Sequence, residues 1–171
     1  VQLVIRPLLL TLGDHRNLSL SATKRLSYFT QLFPQMFNEK LSEQILQHCQ
    51  KILEITVYKY ANHVGNNFDL LKENEYEHKV VTLVDIFHQI SAASPKYIES
   101  LCQLVLETEK KLMIESSSPY RKPLIQFLLR FPNETVNVFF ASTYIVDQQW
   151  NRFFIYLLKH SDGQPFRTAV K

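Results

Sequence analysis

The chain has 171 residues, of which 46% are hydrophobic and 20% are charged, and its net charge is +3. A chain of this length and composition can bury a core without disulfides or metals, which excludes intrinsic disorder. Only three glycines occur, whereas β-sandwiches and barrels need many glycine turns, so the composition favours an all-helical protein. The mild, dispersed positive charge does not indicate nucleic-acid binding, and two distant cysteines favour a reduced, intracellular protein.

The first predicted helix pair covers residues 18–61. Its first helix runs from Leu18 to Phe33 and carries an apolar stripe at intervals of four, three and four, formed by Ala22, Leu26, Phe29 and Phe33. Lys24, Ser27 and Gln31 are expected to point away from the core. Pro34 ends this helix, and Asn38 is the predicted N-cap of the second. The stripe of the second helix comprises Phe37, Leu41, Ile45, Cys49 and Ile52.

A polar stretch from Asn62 to Glu77 predicts a long loop before the second pair, residues 78–113. Ser94-Pro95 predicts a cap and a first-turn proline between the two helices of this pair. Glu107, Glu109, Lys110 and Lys111 are expected on a solvated face. The apolar faces comprise Val80, Leu83, Val84, Phe87 and Ile90, then Ile98, Leu101, Cys102, Val105 and Leu112.

The two pairs are self-similar. After the turns, Phe37, Leu41 and Ile45 match Tyr97, Leu101 and Val105, each 60 positions later. Before the turns, Leu26, Phe29 and Leu32 match Val84, Phe87 and Ile90. An internal period is the signature of a solenoid, in which each helix pair buries its face by stacking on its neighbours.

A third pair is predicted over 119–145 and a fourth over 147–171. Asn133 and Asp147 are the predicted N-caps within them, and Gly163 is the predicted stop of the helix after Asp147. The sequences Asn17-Leu18-Ser19 and Asn133-Glu134-Thr135 are interpreted as helix starts rather than glycosylation sites. Residues 1–12 are expected to end a preceding helix, so the chain is predicted to be a fragment of a longer array of three to four antiparallel pairs.

The sequence predicts no catalytic, cofactor-binding or metal site, since no metal-ligand spacing and no glycine-rich phosphate loop occurs. Two alternatives to a scaffold stay open at this point. One is a small helical enzyme that uses Cys49, His48 or His88. The other is a nucleic-acid-binding repeat that uses Lys24, Arg25, Arg121, Lys122 and Arg130. The run Ser116-Ser117-Ser118-Pro119 is a loop in which a phosphate would lie near Arg121 and Lys122.

Three stretches resemble the HEAT-repeat region of a pseudokinase family related to the phosphatidylinositol 3-kinases. They are residues 24–34 (KRLSYFTQLFP), residues 37–44 (FNEKLSEQ), and residues 119–124 (PYRKPL) leading to 127–132 (FLLRFP). The resemblance covers most of the chain and implies an all-α, HEAT-like α-solenoid.

The resemblance further implies a non-catalytic, nuclear scaffold segment of a histone acetyltransferase coactivator complex. Its partners would be other subunits of the complex and transcription activators, without a small-molecule substrate, a membrane or direct nucleic-acid contact. The family's kinase-like domain lies elsewhere, so no catalytic residue is carried over.

Overall fold

The computed structural model describes residues 19–33, 39–62, 70–87, 95–115 and 118–171. Within these ranges the chain forms helices joined by turns, without a strand, and none of these helices is long and apolar enough to cross a membrane. The helices are α1 (Leu20–Leu32), α2 (Glu39–Asn62), α3 (Leu70–Phe87), α4 (Tyr97–Leu112), α5 (Arg121–Leu128), α6 (Pro132–Phe139), α7 (Gln148–Lys159) and α8 (Gln164–Val170).

The helices stack in two rows. In the first row α1 contacts α3 and α3 contacts α5, and in the second row α2 contacts α4, α4 contacts α6 and α6 contacts α8. Contacts of α2 with α3, α4 with α5, and α7 with both α6 and α8 join the rows. The all-α solenoid prediction is confirmed, and the helices related by the 60-residue recurrence, α1 with α3 and α2 with α4, are the ones that stack on each other.

Most of the predicted apolar positions are buried. Leu26, Ile45 and Cys49 pack in one core with the predicted positions of α3 and α4. Phe37 and Ile90 lie outside the described residues. Leu32 does not fit the pattern, because its side chain is exposed.

The buried face of α1 is rotated from the predicted stripe. Thr23, Ser27 and Thr30 are buried beside Leu26, whereas Ser27 was expected to face solvent. The threonine hydroxyls remain satisfied because each donates to the carbonyl four residues earlier, Thr23 to Ser19 at 2.9 Å and Thr30 to Leu26 at 2.8 Å. On this helix, therefore, polar side chains do not indicate the solvent-exposed face.

The predicted loop over 62–77 is wrong in its second half. Helix α3 begins at Leu70, so the second pair starts eight residues before the predicted position 78. Lys and Glu are good helix formers, and the polar run from Lys72 to Glu77 extends the helix instead of interrupting it. Residues 63–69 lie outside the described part of the chain.

The predicted caps have mixed outcomes. Ser19 caps α1 by accepting a hydrogen bond from the Ala22 N–H at 3.1 Å, and the Asp147 carboxylate caps α7 by accepting from the Gln149 and Trp150 N–H groups at 2.9 and 3.2 Å. Both serve as helix starts, as predicted. Asn38 and residues 1–18 lie outside the described ranges.

The prediction of Asn133 as an N-cap is wrong. Helix α6 begins one residue earlier, at Pro132, with Phe131 as its N-cap, because a proline fits the first helical position, where no N–H partner is needed. Likewise α4 begins at Tyr97 after Lys96, so Pro95 lies before the helix and not in its first turn.

Gly163 lies beyond the end of α7, which ends at Lys159 with His160 as its C-cap. The predicted stop is therefore four residues late. Gly163 instead precedes α8, where an added Cβ would lie 2.2 Å from the Leu157 carbonyl oxygen. A glycine at this position allows the two backbone segments to approach each other.

The second half of the core is aromatic. The ring of Phe139 on α6 lies 5.1 Å from Trp150, 5.9 Å from Phe153 and 5.3 Å from Phe154, all on α7. Phe87 at the end of α3 similarly meets Tyr97 at 5.5 Å and Phe127 at 6.1 Å. Rings at these separations contribute beyond the area that they bury.

We expect Phe87→Ala to lower the free energy of unfolding by about 3–5 kcal/mol, because it empties a fully buried site that joins α3, α4 and α5. Urea unfolding followed by circular dichroism measures the loss. Tyr28→Ala, which shortens a 64% exposed side chain on α1, is the matched control and should stay within about 0.5 kcal/mol of the wild type. Equal losses in the two variants would contradict the assigned core.

Candidate interaction surface

The candidate catalytic residues do not form a site. Cys49 is fully buried on α2, and desolvation raises the pKa of its thiol, so the thiolate that a nucleophile requires is disfavoured. His48 is buried beside it in sequence, and His88 lies outside the described residues. Among the described side chains, no group of three or more His, Cys, Asp or Glu residues could hold a metal ion.

The five basic residues considered for nucleic-acid binding do not form one surface. Lys24 and Arg25 are exposed on α1, and Lys122 is exposed on α5. Arg121 and Arg130 contact other groups of the protein, Arg121 with a largely buried side chain and Arg130 with an exposed one. The Arg130 guanidinium donates to the Phe87 carbonyl at 3.1 Å and lies 5.2 Å from the Phe131 ring, and desolvation lowers its pKa.

Arg121 forms the most buried ion pair described. Its Nε and Nη2 atoms donate to the two carboxylate oxygens of Glu109, each at 2.9 Å. The Glu109 side chain is fully buried and the Arg121 side chain is 12% exposed. The guanidinium also lies 4.7 Å from the Tyr156 ring and 5.2 Å from the Phe153 ring. This one side chain therefore joins α4, α5 and α7.

The expectation that Glu109 lies on a solvated face is wrong. Its carboxylate is held in the interior because Arg121 compensates the charge and both oxygens accept hydrogen bonds. A sequence signal for this placement existed. Glu109 lies four residues after Val105 and three before Leu112, so it continues the apolar stripe of α4.

A groove of about 560 Å³ opens between the end of α4 and the start of α7. We call it the α4/α7 groove. Its lining comprises Glu109, Lys110, Met113 and Glu115 on one side and Asp147, Gln148, Gln149 and Arg152 on the other. The Gln149 side-chain amide donates to the Leu106 carbonyl at 2.6 Å, and Arg152 pairs with Glu115 at 2.9 Å, so α7 is fixed to α4 across the groove.

Two exposed apolar side chains flank the α4/α7 groove. Met113 is the left-handed C-cap of α4 (φ 56°) and is 86% exposed. Val146, which precedes the groove residue Asp147, is 78% exposed. These are the most exposed large hydrophobic side chains of the described part of the chain. Exposed apolar side chains beside a cleft offer apolar contacts to a partner.

The loop that carries Val146 is held in place. The Tyr144 ring stacks on Trp150 at 3.7 Å, and its hydroxyl donates to the Glu99 carboxylate on α4. The Asn151 side-chain amide donates to the Ile145 carbonyl at 3.0 Å. The hydrogen bond to Glu99, together with partial burial and the negative charge of Glu99, raises the pKa of Tyr144 to about 12. A fixed loop loses little entropy when it binds a partner.

We expect Glu109→Ala to lower the free energy of unfolding by about 3–5 kcal/mol, because it leaves the buried Arg121 charge without a partner. The double variant Glu109→Leu with Arg121→Met should recover most of this loss. Arg152→Ala, which breaks an exposed ion pair, is the control and should cost at most about 1 kcal/mol. Urea unfolding of the wild type and the three variants gives these values. If Glu109→Ala lowers the free energy of unfolding no more than Arg152→Ala does, the buried Arg121 charge does not depend on Glu109.

The Tyr144 contact should weaken in strong base. The free pKa of tyrosine is about 10, and the folded value is raised, so the stabilisation is complete below pH of about 10 and is lost as the pH rises towards 12. The single tryptophan, Trp150, reports this change because it stacks on Tyr144. We expect a fluorescence transition in this range that Tyr144→Phe removes; identical titrations of the two proteins would disprove it.

Comparison with known proteins identifies the family. The family model described as the Tra1 HEAT repeat ring region matches residues 1–171. The chain is 64% identical to Transcription-associated protein 1 of Drosophila melanogaster over 100% of its own length and 4% of that protein. It is 36% identical to human Transformation/transcription domain-associated protein over 97% of its own length and 5% of that protein. It is also 30% identical to the Schizosaccharomyces pombe SAGA complex/NuA4 acetyltransferase complex subunit Tra1, over 77% of the chain and 3% of that protein. The chain thus spans about a twentieth or less of these relatives, and it belongs to the Tra1 HEAT repeat ring family.

Proposed function

We propose that this chain is a non-catalytic scaffold segment of a nuclear histone acetyltransferase coactivator complex, and that it contributes a docking surface for transcription activators. The observation that carries the proposal is the family match over all 171 residues, with relatives that are named as subunits of SAGA and NuA4 acetyltransferase complexes. Stacked helix arrays offer extended surfaces to partners, which fits a scaffold.

The positions of the chemically reactive side chains support a scaffold role more than an enzymatic one. Cys49 and Cys102 are buried in the core, and Arg121 and Glu109 neutralise each other. The two thiols lie in the core, and the Glu109 carboxylate, although it borders the α4/α7 groove, is occupied by Arg121. A binding role needs only a shaped, stable surface, which the packing provides.

The α4/α7 groove is the proposed docking surface. Its rims carry the exposed Met113 and Val146, while Lys110 is exposed and has no ion-pair partner among the described residues. Arg152 and Asp147 are already engaged with Glu115 and with the start of α7. Apolar rims beside an available cation suit a segment that combines apolar and acidic side chains.

The test is the double variant Met113→Glu with Val146→Glu, introduced into the complete protein. We expect activator binding to the purified acetyltransferase complex to weaken by about tenfold or more, because both apolar rims become charged. Tyr28→Glu with Leu32→Glu, an equal change of charge at two exposed residues of α1, is the matched control and should leave binding unchanged. Unchanged activator binding by the double variant would exclude this groove as the docking surface. Loss of other subunits from the complex would show a scaffold role for the same surface.

A further inference from the structure

The loop between α4 and α5 contains a serine followed by a proline. Ser118 and Pro119 are half-buried, and the Tyr120 N–H donates to the Ser118 Oγ at 3.3 Å. No other hydrogen bond of the Ser118 side chain is described. The hydroxyl is therefore held in place by this one long hydrogen bond. A serine directly before a proline in a surface loop is the pattern on which proline-directed protein kinases act.

The charges around Ser118 favour an anion. Lys122 is exposed and has no ion-pair partner in the described part of the chain, whereas Arg121 is occupied by Glu109. Helix α5 begins at Arg121 without an acidic residue in its first turn and without a side-chain cap. A negative group at Ser118 would therefore lie three residues before the positive end of a helix and four residues before an available cation.

We propose that Ser118 is a phosphorylation site for an ATP-dependent, proline-directed protein kinase, and that the phosphate pairs with Lys122 and strengthens the start of α5. In the transfer step the Ser118 Oγ attacks the γ-phosphorus of ATP. The new O–P bond forms as the bond to the bridging oxygen breaks, ADP leaves, and the hydroxyl proton passes to the base of the kinase. This proposal does not depend on the scaffold function.

The modification adds a charge of about −1.5 to −2 at neutral pH. The fully buried Glu109 already accepts both of the strong hydrogen bonds of Arg121, so the phosphate meets Lys122 and not Arg121. The α4–α5 contact is kept, and the first turn of α5 gains a charged partner.

The first experiment incubates the complete protein with ATP and a purified proline-directed serine kinase and maps the phosphate by mass spectrometry. We expect phosphate on Ser118, and its loss in both Ser118→Ala and Pro119→Ala. The Pro119→Ala variant keeps the Ser118 hydroxyl and removes only the proline. A synthetic peptide of residues 114–123, which contains Ser118 and Pro119, reports that the kinase is active. Phosphate on the peptide without any on Ser118 of the protein would overturn the proposal.

The second experiment measures hydrogen exchange by mass spectrometry at the start of α5, with and without the phosphate. We expect exchange to slow by about two- to fivefold, which corresponds to a charge at a helix start. Lys122→Gln should remove most of this slowing, whereas Lys159→Gln, which changes an exposed lysine on α7, should not. Unchanged or faster exchange after phosphorylation would overturn the stabilising role.

Discussion

The structure depends on one constraint, which is that each helix has a single apolar stripe and cannot cover it alone. The solution is stacking on the second helix along the chain, so that α1 covers α3 and α2 covers α4. The 60-residue recurrence in the sequence follows from this arrangement, because helices in the same row make equivalent contacts. Side chains such as Ile45 and Val105 therefore occupy matching buried positions.

Polar groups inside the stack are tolerated where they have a partner, as all buried side-chain polar groups of the described residues except the Tyr97 hydroxyl do. Thr30 and Thr56 donate to carbonyls of their own helices, and the Glu109 carboxylate is fully compensated by Arg121. The ion pair does more than replace an apolar contact, because the Arg121 guanidinium lies against two rings of α7. Its directional hydrogen bonds set how α5 sits between α4 and α7, where an apolar pair would tolerate several arrangements.

The apolar pattern was sufficient to predict most of the helices and that helix pairs stack on their neighbours, since periodicity depends on local geometry that every helix shares. It was insufficient where polar residues form part of a helix or where a charged residue lies in the core. Lys72 to Glu77 form a helix although they are polar, and Glu109 is buried although it is charged. The partner of Glu109 is twelve residues away on another helix, which a helical pattern does not encode. The α4/α7 groove was not predicted for the same reason, because it forms only where two separate helices meet.

The principal helix contacts of the described residues all join helices at most two positions apart along the chain. A newly made helix therefore finds its neighbours among the residues synthesised just before it, and closing each contact requires only a short loop of chain. The Drosophila and human relatives are about twenty times longer than the chain or more, since it spans 4% and 5% of them. In such a protein, local pairing lets the array grow helix by helix during translation, without waiting for a distant segment to emerge from the ribosome.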